Sequence, residues 1–318
     1  MKAGTLFTLV AFTGIATAML KITTSYRLWK QNILDNLQMN SRIANTIHGP
    51  IEYNISGDRS GPIILISHGT PAGYDQSIAF ASLFRSKHIT TISISRPGYL
   101  RTPLAHNETP EAQADLYAAL LDKLDIEQVT MLGMSGGGPS ALQFALRHSE
   151  RCKELVLLCA VTRSYDESGR IKALPLLPRF VRQYLIRFIS ADIAYFLLAI
   201  RARWFHTPVS EQFYCSYTCS ELRNRGYQND IKHLLHLQNI PLECITTPTL
   251  ILHGNSDDNV PLEYAKYAVA HIPNAQLIID EGGDHDFFMK HKERVLPIIE
   301  AFVEPRFIDT VYDGEANR

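Results

Sequence analysis

Short, mostly apolar runs recur along most of the chain and alternate with segments of helical periodicity. The runs are rich in β-branched residues, which predicts strands that are buried on both faces. Helices are predicted over 111–124, 138–148, 262–271 and 287–302. This alternation predicts an α/β fold with a mostly parallel central sheet flanked by helices. The apolar runs are 63–66, 89–94, 129–132, 155–158, 249–252 and 276–279.

The alternation stops between Arg163 and Thr246, where helical patterns and aromatic residues occur without a convincing strand. We interpret this interval as a helical cap inserted into the α/β core. The stretch Phe188 to Ile200 is strongly apolar, but it is too short for a membrane span and is interrupted by polar residues. We expect it to pack on the core or to line an apolar substrate cavity.

The amino-terminal segment differs from the rest of the chain. An uncharged, mostly apolar run extends from Ala3 to Leu20. A helix over this run would rise about 27 Å, which matches the hydrocarbon core of a bilayer and predicts a single-pass membrane anchor. Ala16-Thr17-Ala18 keeps a cleaved signal peptide, with a secreted or periplasmic product, as the alternative. The predicted parts of the chain are the segment 1–22, a connector 23–45, the core 46–162 and 247–304, the cap 163–246 and a tail 305–318.

The overall composition is that of an ordinary globular protein. The 318 residues carry a formal net charge of -1, with 20% charged and 46% apolar residues. Because neither charge sign is in excess, we expect no binding to nucleic acid. The five cysteines lack C-x-x-C spacing and predict neither a disulfide framework nor a zinc site. A bridge between Cys215 and Cys219 is left open, and neither a cofactor nor a metal is expected.

One glycine-rich turn carries the first candidate for chemistry. Gly133-Met134-Ser135-Gly136-Gly137 follows the predicted strand 129–132 and precedes the predicted helix 138–148. In a strand–turn–helix elbow the serine has a strained backbone and an exposed hydroxyl, and the glycines leave room for the neighbouring elements. A turn that merely joins strand and helix is the alternative. The context favours Ser135 as a nucleophile.

A serine nucleophile needs a base, and the base needs a third group that orients it. In a fold with this elbow, the acid follows a late strand and the histidine follows the last one. His285 comes after the predicted strand 276–279, and Asp257 comes after 249–252. Asp257 has the better spacing from the end of its strand, and Asp258 is the alternative acid.

Acyl transfer also needs hydrogen-bond donors for the developing oxyanion. We expect one from the amide of Gly136, which directly follows the nucleophile at the positive end of a helix. The other is expected from the amide of Thr70, in the loop after the strand 63–66. His68 in the same loop is predicted to pack there and to take no part in catalysis.

Five motifs together resemble the α/β-hydrolase fold family over roughly 50–303. The resemblance implies a triad of Ser135, Asp257 and His285, an oxyanion hole at Thr70 and Gly136, and a lid formed by the cap. The motifs are His68-Gly69-Thr70-Pro71, Arg96-Pro97-Gly98-Tyr99, Gly133-Met134-Ser135-Gly136-Gly137, His253-Gly254-Asn255-Ser256-Asp257 and Gly283-Asp284-His285.

Three positions depart from residues that are common in relatives of this family. Ser95 replaces an aspartate and Leu100 replaces a glycine, which alters a structural loop and leaves the triad intact. Asp284 replaces a glycine before His285, and an acidic neighbour there would raise the basicity of the histidine.

These residues predict a serine hydrolase that cleaves a carboxylic ester or a related acyl compound through an acyl-enzyme intermediate. Serine at the elbow argues against a dehalogenase or an epoxide hydrolase, which attack through a carboxylate. The apolar cap and the predicted anchor over 3–20 point to a small lipophilic acyl substrate and to membrane association.

Three alternatives remain for the function. A prolyl-type aminopeptidase would share the triad but needs cap carboxylates for the substrate amine, and Glu211, Glu221 and Asp230 are the candidates. A carbon–carbon bond hydrolase would use the same residues on a diketone. A ligand-binding module on the same fold is the alternative outside enzymes.

Overall fold

The computed structural model describes residues 3–164, 192–205, 208–237 and 240–304. Its strands form one eight-stranded sheet in the order β1-β2-β4-β3-β5-β6-β7-β8. The pairs β1/β2 and β2/β4 are antiparallel, and the other neighbours are parallel. The predicted α/β fold is therefore confirmed. The strands are β1 (Arg42–Thr46), β2 (Gly49–Ser56), β3 (Ile63–Ser67), β4 (Thr90–Ile94), β5 (Val129–Met134), β6 (Cys152–Leu158), β7 (Thr249–Gly254) and β8 (Ala275–Asp280).

Helices cover both faces of the sheet, because successive strand side chains enter two different apolar clusters. Leu65 packs with the side chains of α3, α4 and α8, whereas Ile64 and Ile66 pack with those of α2 and α10. The helices are α1 (Ala3–Met39), α2 (Tyr74–Ala81), α3 (Pro110–Lys123), α4 (Gly138–Arg147), α5 (Asp192–Trp204), α6 (Pro208–Cys215), α7 (Ser220–Leu235), α8 (Glu263–His271), α9 (Phe287–Lys290) and α10 (Lys292–Val303).

Two boundaries differ from the sequence prediction. The predicted connector 23–45 is mostly helical, because α1 extends to Met39, and its last residues belong to β1. The side chains of β1 are mostly exposed, so the sequence has no apolar run there. The predicted helix 287–302 is two helices that meet at His291. The helix predicted after Thr109 begins as expected, because the Thr109 side chain accepts a hydrogen bond from the amide of Ala112.

The predicted cap contains α5, α6 and α7, and the part of it that the structure describes has no strand. Residues 165–191, with the first part of the stretch 188–200, lie outside the described residues, as does the tail 305–318. Most side chains of the predicted anchor, Ala3 to Leu20, also lie outside them. Among the residues that were described, no helix has both the length and the apolar character that a membrane crossing requires. The anchor and the signal peptide both stay predictions.

Candidate active site

Ser135 lies directly after β5, in a short 3-10 turn that leads into α4. Its φ is +49°, in the left-handed region that costs energy for residues other than glycine. Its carbonyl oxygen accepts a hydrogen bond from the amide of Val161 at 2.9 Å. A Cβ added to Gly133 would lie 2.6 Å from the Cβ of Ala141, so glycine two residues before the serine leaves room for α4 against β5.

The structure brings Ser135, His285 and Asp257 together in one hydrogen-bonded chain. Ser135 Oγ lies 3.0 Å from His285 Nε2, and His285 Nδ1 lies 2.7 Å from Asp257 Oδ2. A ring nitrogen that faces a carboxylate carries the proton, so the other nitrogen is free to accept from the serine hydroxyl. The alternative acid Asp258 is exposed, and it is Asp257 that contacts the histidine.

Asp257 is held by the backbone of its own loop. Its Oδ1 accepts the amides of Asn259 at 2.8 Å and Val260 at 2.9 Å, which leaves Oδ2 for His285. His253 lies behind this loop and donates through Nε2 to the carbonyl oxygen of Val260 at 2.7 Å. Burial lowers the pKa of His253, so this ring is neutral and its 3.5 Å approach to Asp257 is not an ion pair.

The two predicted oxyanion residues lie next to each other at the elbow. A Cβ built on Gly136 would lie 3.4 Å from the amide nitrogen of Thr70 and would collide with the Thr70 hydroxyl. A Cβ on Gly69 would lie 3.2 Å from the Cβ of Ser135. The amide of Gly69 donates to Gln76 Oε1 at 2.8 Å, which fixes the loop beside the serine.

His68 supports this loop from inside the protein. Its Nδ1 lies 2.8 Å from the carbonyl oxygen of Gly69, and its Nε2 accepts the amide of Arg96 at 3.0 Å. The ring is completely buried and packs edge-on against Tyr99. Burial and the charge of Arg96 hold the pKa of His68 well below its usual range. His68 is therefore a neutral packing residue in the structure.

A buried ion pair beside Thr70 was not found by sequence reasoning. Arg96 Nη1 donates to Asp230 Oδ1 at 2.9 Å, and Arg96 Nη2 donates both to Asp230 Oδ2 and, at 3.0 Å, to the Thr70 hydroxyl. The side chains of Arg96 and Asp230 are 2% and 5% exposed. Asp230 belongs to α7, so the pair joins the predicted cap to the predicted oxyanion loop.

Two hydroxyl groups complete the environment of Asp230. The hydroxyl of Thr70 donates to Oδ2, and so does that of Tyr99, at 2.5 Å. Burial and the carboxylate hold the pKa of Tyr99 well above its usual range, so its hydroxyl remains a donor. The Arg96-Pro97-Gly98-Tyr99 motif was the available signal, but no spacing along the chain pointed to Asp230.

The two acidic neighbours of His285, Asp284 and Asp286, have different surroundings. The carboxylate of Asp284 pairs with Lys290, and although partial burial opposes the shift, that hydrogen bond lowers the pKa of Asp284. The structure thus pairs this carboxylate with a lysine and not with His285. Asp286 is half-buried, and burial raises its pKa.

A small pocket, partly open to solvent, lies beside Gly136 between α4 and α7. Its lining includes Arg96, Pro139, Asn229 and His233. Within the part of the chain that the structure describes, no group of histidines, cysteines and carboxylates is arranged to hold a metal ion.

All five cysteine thiols are free. Cys215 ends α6, and Cys219 precedes α7 with a left-handed φ of +57°. The bridge that the sequence left open between these two residues is not formed.

Comparison with known proteins identifies the family to which the chain belongs. The model of the alpha/beta hydrolase fold family matches residues 62–292. The chain therefore belongs to that family, and the prediction of a hydrolase is confirmed at this level.

Relatives with curated descriptions agree with this class. The chain is 26% identical over 254 residues to an uncharacterized hydrolase of Bacillus subtilis, a match that covers 74% of this chain and 88% of that protein. It is 34% identical over 196 residues to a poly(3-hydroxyalkanoate) depolymerase of Ectopseudomonas oleovorans, which covers 60% of this chain and 66% of the depolymerase. A solved alpha/beta hydrolase fold protein from Nakamurella multipartita is 30% identical, with a TM-score of 0.66, over 83% of this chain and 98% of that one.

Proposed function

We propose that this protein is a serine hydrolase that cleaves a carboxylic ester through an acyl-enzyme intermediate. The observation that carries the proposal is the continuous hydrogen-bonded chain from Ser135 through His285 to Asp257, at 3.0 Å and 2.7 Å. Hydroxyl, imidazole and carboxylate in this order are the groups that activate a serine for attack on an acyl carbon.

The reaction follows from the placement of these groups. Ser135 Oγ attacks the ester carbonyl while His285 Nε2 takes its proton, and Asp257 stabilises the imidazolium that forms. The amides of Thr70 and Gly136 donate to the oxyanion. His285 then protonates the leaving alcohol as the acyl-enzyme forms. Water, deprotonated by His285, then attacks the acyl group, and the imidazolium returns the proton to Ser135 Oγ as the acid leaves.

The aminopeptidase alternative needs a carboxylate that can receive the substrate amine. Two of its three candidates already have cationic partners in the structure. Asp230 is buried against Arg96, and Glu221 lies 2.9 Å from Lys30 Nζ. An amine would have to displace the buried guanidinium of Arg96 to reach Asp230, which counts against that residue as an amine-binding group.

We further propose that the substrate is lipophilic. Six large apolar side chains on α5 and just after it are exposed, although the helix belongs to the predicted cap. One relative is named a depolymerase of poly(3-hydroxyalkanoate), which is a polyester of hydroxy acids. Membrane association through residues 3–20 stays part of this proposal. The exposed side chains are Ile193, Leu197, Leu198, Ile200, Trp204 and Phe205.

Active-site labelling tests the central claim. A fluorophosphonate should label the wild-type chain and should fail to label Ser135→Ala. Ser256→Ala is the matched control, because Ser256 is an exposed serine in the loop that carries Asp257, and it should be labelled like the wild type. Labelling that persists in Ser135→Ala would show that the nucleophile is another residue.

Two adjacent carboxylates allow a sharp test of the acid. Asp257→Asn should lower kcat by about 10,000-fold, since the histidine loses control of its tautomer. Asp258→Asn should leave kcat near the wild-type value, because Asp258 is exposed and Asp257 makes the contact with His285. The opposite result would move the acid by one residue.

A substrate panel separates the remaining alternatives. Esters of increasing acyl length, proline amides and a diketone should be compared with the same enzyme preparation. We expect kcat/KM to rise from short, charged esters to medium-chain ones. Equal turnover of charged and medium-chain esters would refute the lipophilic substrate, and turnover of the diketone alone would support carbon–carbon bond hydrolysis.

A further inference from the structure

One face of α7 contacts the core at three successive turns, through Leu222, Gly226 and Asp230. The carbonyl oxygen of Leu222 accepts the amide of Leu100 at 2.9 Å, and the amide of Gly226 donates to the carbonyl oxygen of Gly98 at 2.9 Å. A Cβ on Gly226 would collide with the ring of Tyr99. This docking sets the distance between α7 and the oxyanion loop.

Asp230 lies one turn after Gly226 on the same face, where its Oδ2 receives three donors. They are the guanidinium of Arg96 and the hydroxyls of Thr70 and Tyr99. A carboxylate that served only to neutralise Arg96 would need the guanidinium alone. The two additional hydroxyl groups tie the position of the carboxylate to the position of Thr70.

We propose that Asp230 is a positioning residue for the oxyanion hole, which couples the cap to catalysis; this rests on the proposed function. Arg96 and Asp230 hold the Thr70 hydroxyl from two sides, so the Thr70 side chain has one orientation. Arg96 also holds the other side of the loop, because its amide donates to His68. The segment between His68 and Thr70 is thereby clamped, and the Thr70 amide keeps its direction toward the oxyanion.

A second ion pair on α7 provides a matched control. Arg223 donates to both carboxylate oxygens of Asp75, at 3.1 Å and 2.8 Å, and its side chain is 1% exposed. This pair also docks α7 on the core, but its carboxylate has no contact with Thr70 among the hydrogen bonds of the described residues. A purely structural role predicts equal effects when either carboxylate is neutralised.

The experiment compares Asp230→Asn with Asp75→Asn on a soluble short-chain ester. Removal of an oxyanion donor costs about 100- to 1,000-fold in rate, so a misdirected donor should lower kcat by about 10- to 100-fold with little change in KM. Binding of a trifluoromethyl ketone, whose adduct carries an oxyanion, should weaken by the same factor as kcat/KM. Asp75→Asn should leave both quantities near wild type.

Thr70→Val provides the second variant in case Asp230→Asn does not fold. It keeps the Arg96 and Asp230 pair and removes only the hydroxyl, so kcat should fall while the melting temperature changes little. Thr70→Ser restores the hydroxyl and should recover most of the loss. The proposal is overturned if Thr70→Val keeps wild-type kcat and ketone affinity, or if Asp75→Asn lowers both as much as Asp230→Asn.

The same assay separates this proposal from the proposed function. Ser135→Ala must be inactive if the enzyme is a serine hydrolase. Residual wild-type activity in Ser135→Ala would refute the function itself, whereas an inactive Ser135→Ala with a fully active Thr70→Val would refute only the role of Asp230.

Discussion

The helices α5 and α7 both belong to the predicted cap, but they meet the rest of the molecule in opposite ways. α7 buries polar and charged groups against the core, with the side chains of Arg223 and Asp230 at 1% and 5% exposure. α5 buries Phe196 against α1 and leaves large apolar side chains in solvent, with Trp204 at 80% exposure. Both helices depart from the usual distribution, because α7 buries charged side chains and α5 exposes apolar ones.

The difference shows that the cap is not one uniform lid. To separate α7 from the core, two buried ion pairs and two backbone hydrogen bonds must break, and each leaves unpaired polar groups. The contacts of α5 with α1 are aromatic, through Phe196, apart from one ion pair between Asp192 and Lys30. We therefore regard α7 as a fixed part of the site and α5 as the outer surface of the cap, and the following predictions test this division.

The largest effect is expected when an anchor of α7 is removed. Arg223→Met leaves Asp75 without its partner, and breaking a buried ion pair costs about 3–5 kcal/mol. Because Asp75 is 19% exposed, we expect a loss near the lower end of that range. Arg225→Met makes the same chemical change at an exposed position of α7 and should change little. Urea unfolding of both variants measures the difference.

A smaller loss of stability is expected at Gly226, where α7 packs tightly against the core. Gly226→Ala would place a methyl group against the ring of Tyr99, and overpacking of this kind costs about 1–3 kcal/mol. Asn224→Ala is the control on the exposed face, where alanine should be neutral or slightly stabilising. If Gly226→Ala were as stable as Asn224→Ala, the docking of α7 would not be tight.

We expect acid to lower the free energy of unfolding through His68, the buried histidine that contacts Arg96. Because the pKa of His68 is lowered in the folded protein, the unfolded chain binds a proton first as the pH falls below about 6.5, and stability falls with it. One such group contributes a slope of at most about 1.4 kcal/mol per pH unit. Unfolding free energies of wild type and His68→Asn between pH 7.5 and 5.5 measure that slope. Identical slopes would contradict the prediction.

The smallest effect is expected on the outer face of α5. Leu197→Ser and Trp204→Ser replace exposed side chains, so the unfolding free energy should change by less than about 0.5 kcal/mol. Phe196→Ser is the control, because this neighbour is buried and its truncation should cost about 3 kcal/mol. A large loss in Trp204→Ser would mean that this face is covered in the native protein.

The fold could be predicted where burial was continuous. β5 and β7 are buried on both faces and appear in the sequence as mostly apolar runs. β1 alternates exposed and half-buried residues at the edge of the sheet, so its pairing with β2 determines its structure and its own pattern does not.

The candidate site could be predicted where chain order decides position. Ser135, Asp257 and His285 each follow a strand of the same sheet, so their meeting at one edge was predictable from the order of the elements. Asp230 follows no strand, and it lies 134 residues after Arg96 along the chain. The two residues meet only because α7 packs across the loop 96–99. Contacts of this kind depend on tertiary packing and leave no local signal.

Lys30 on α1 reaches Asp192 at the start of α5, at 2.8 Å, and Glu221 in the first turn of α7, at 2.9 Å. Further along α1, the carbonyl oxygen of Leu37 accepts a hydrogen bond from the hydroxyl of Tyr74 at 2.9 Å, which connects α1 to the start of α2. The family match begins only at residue 62. A truncation to the matched region would therefore remove α1 and, with Lys30, the ion pairs that connect α5 and α7 to this helix.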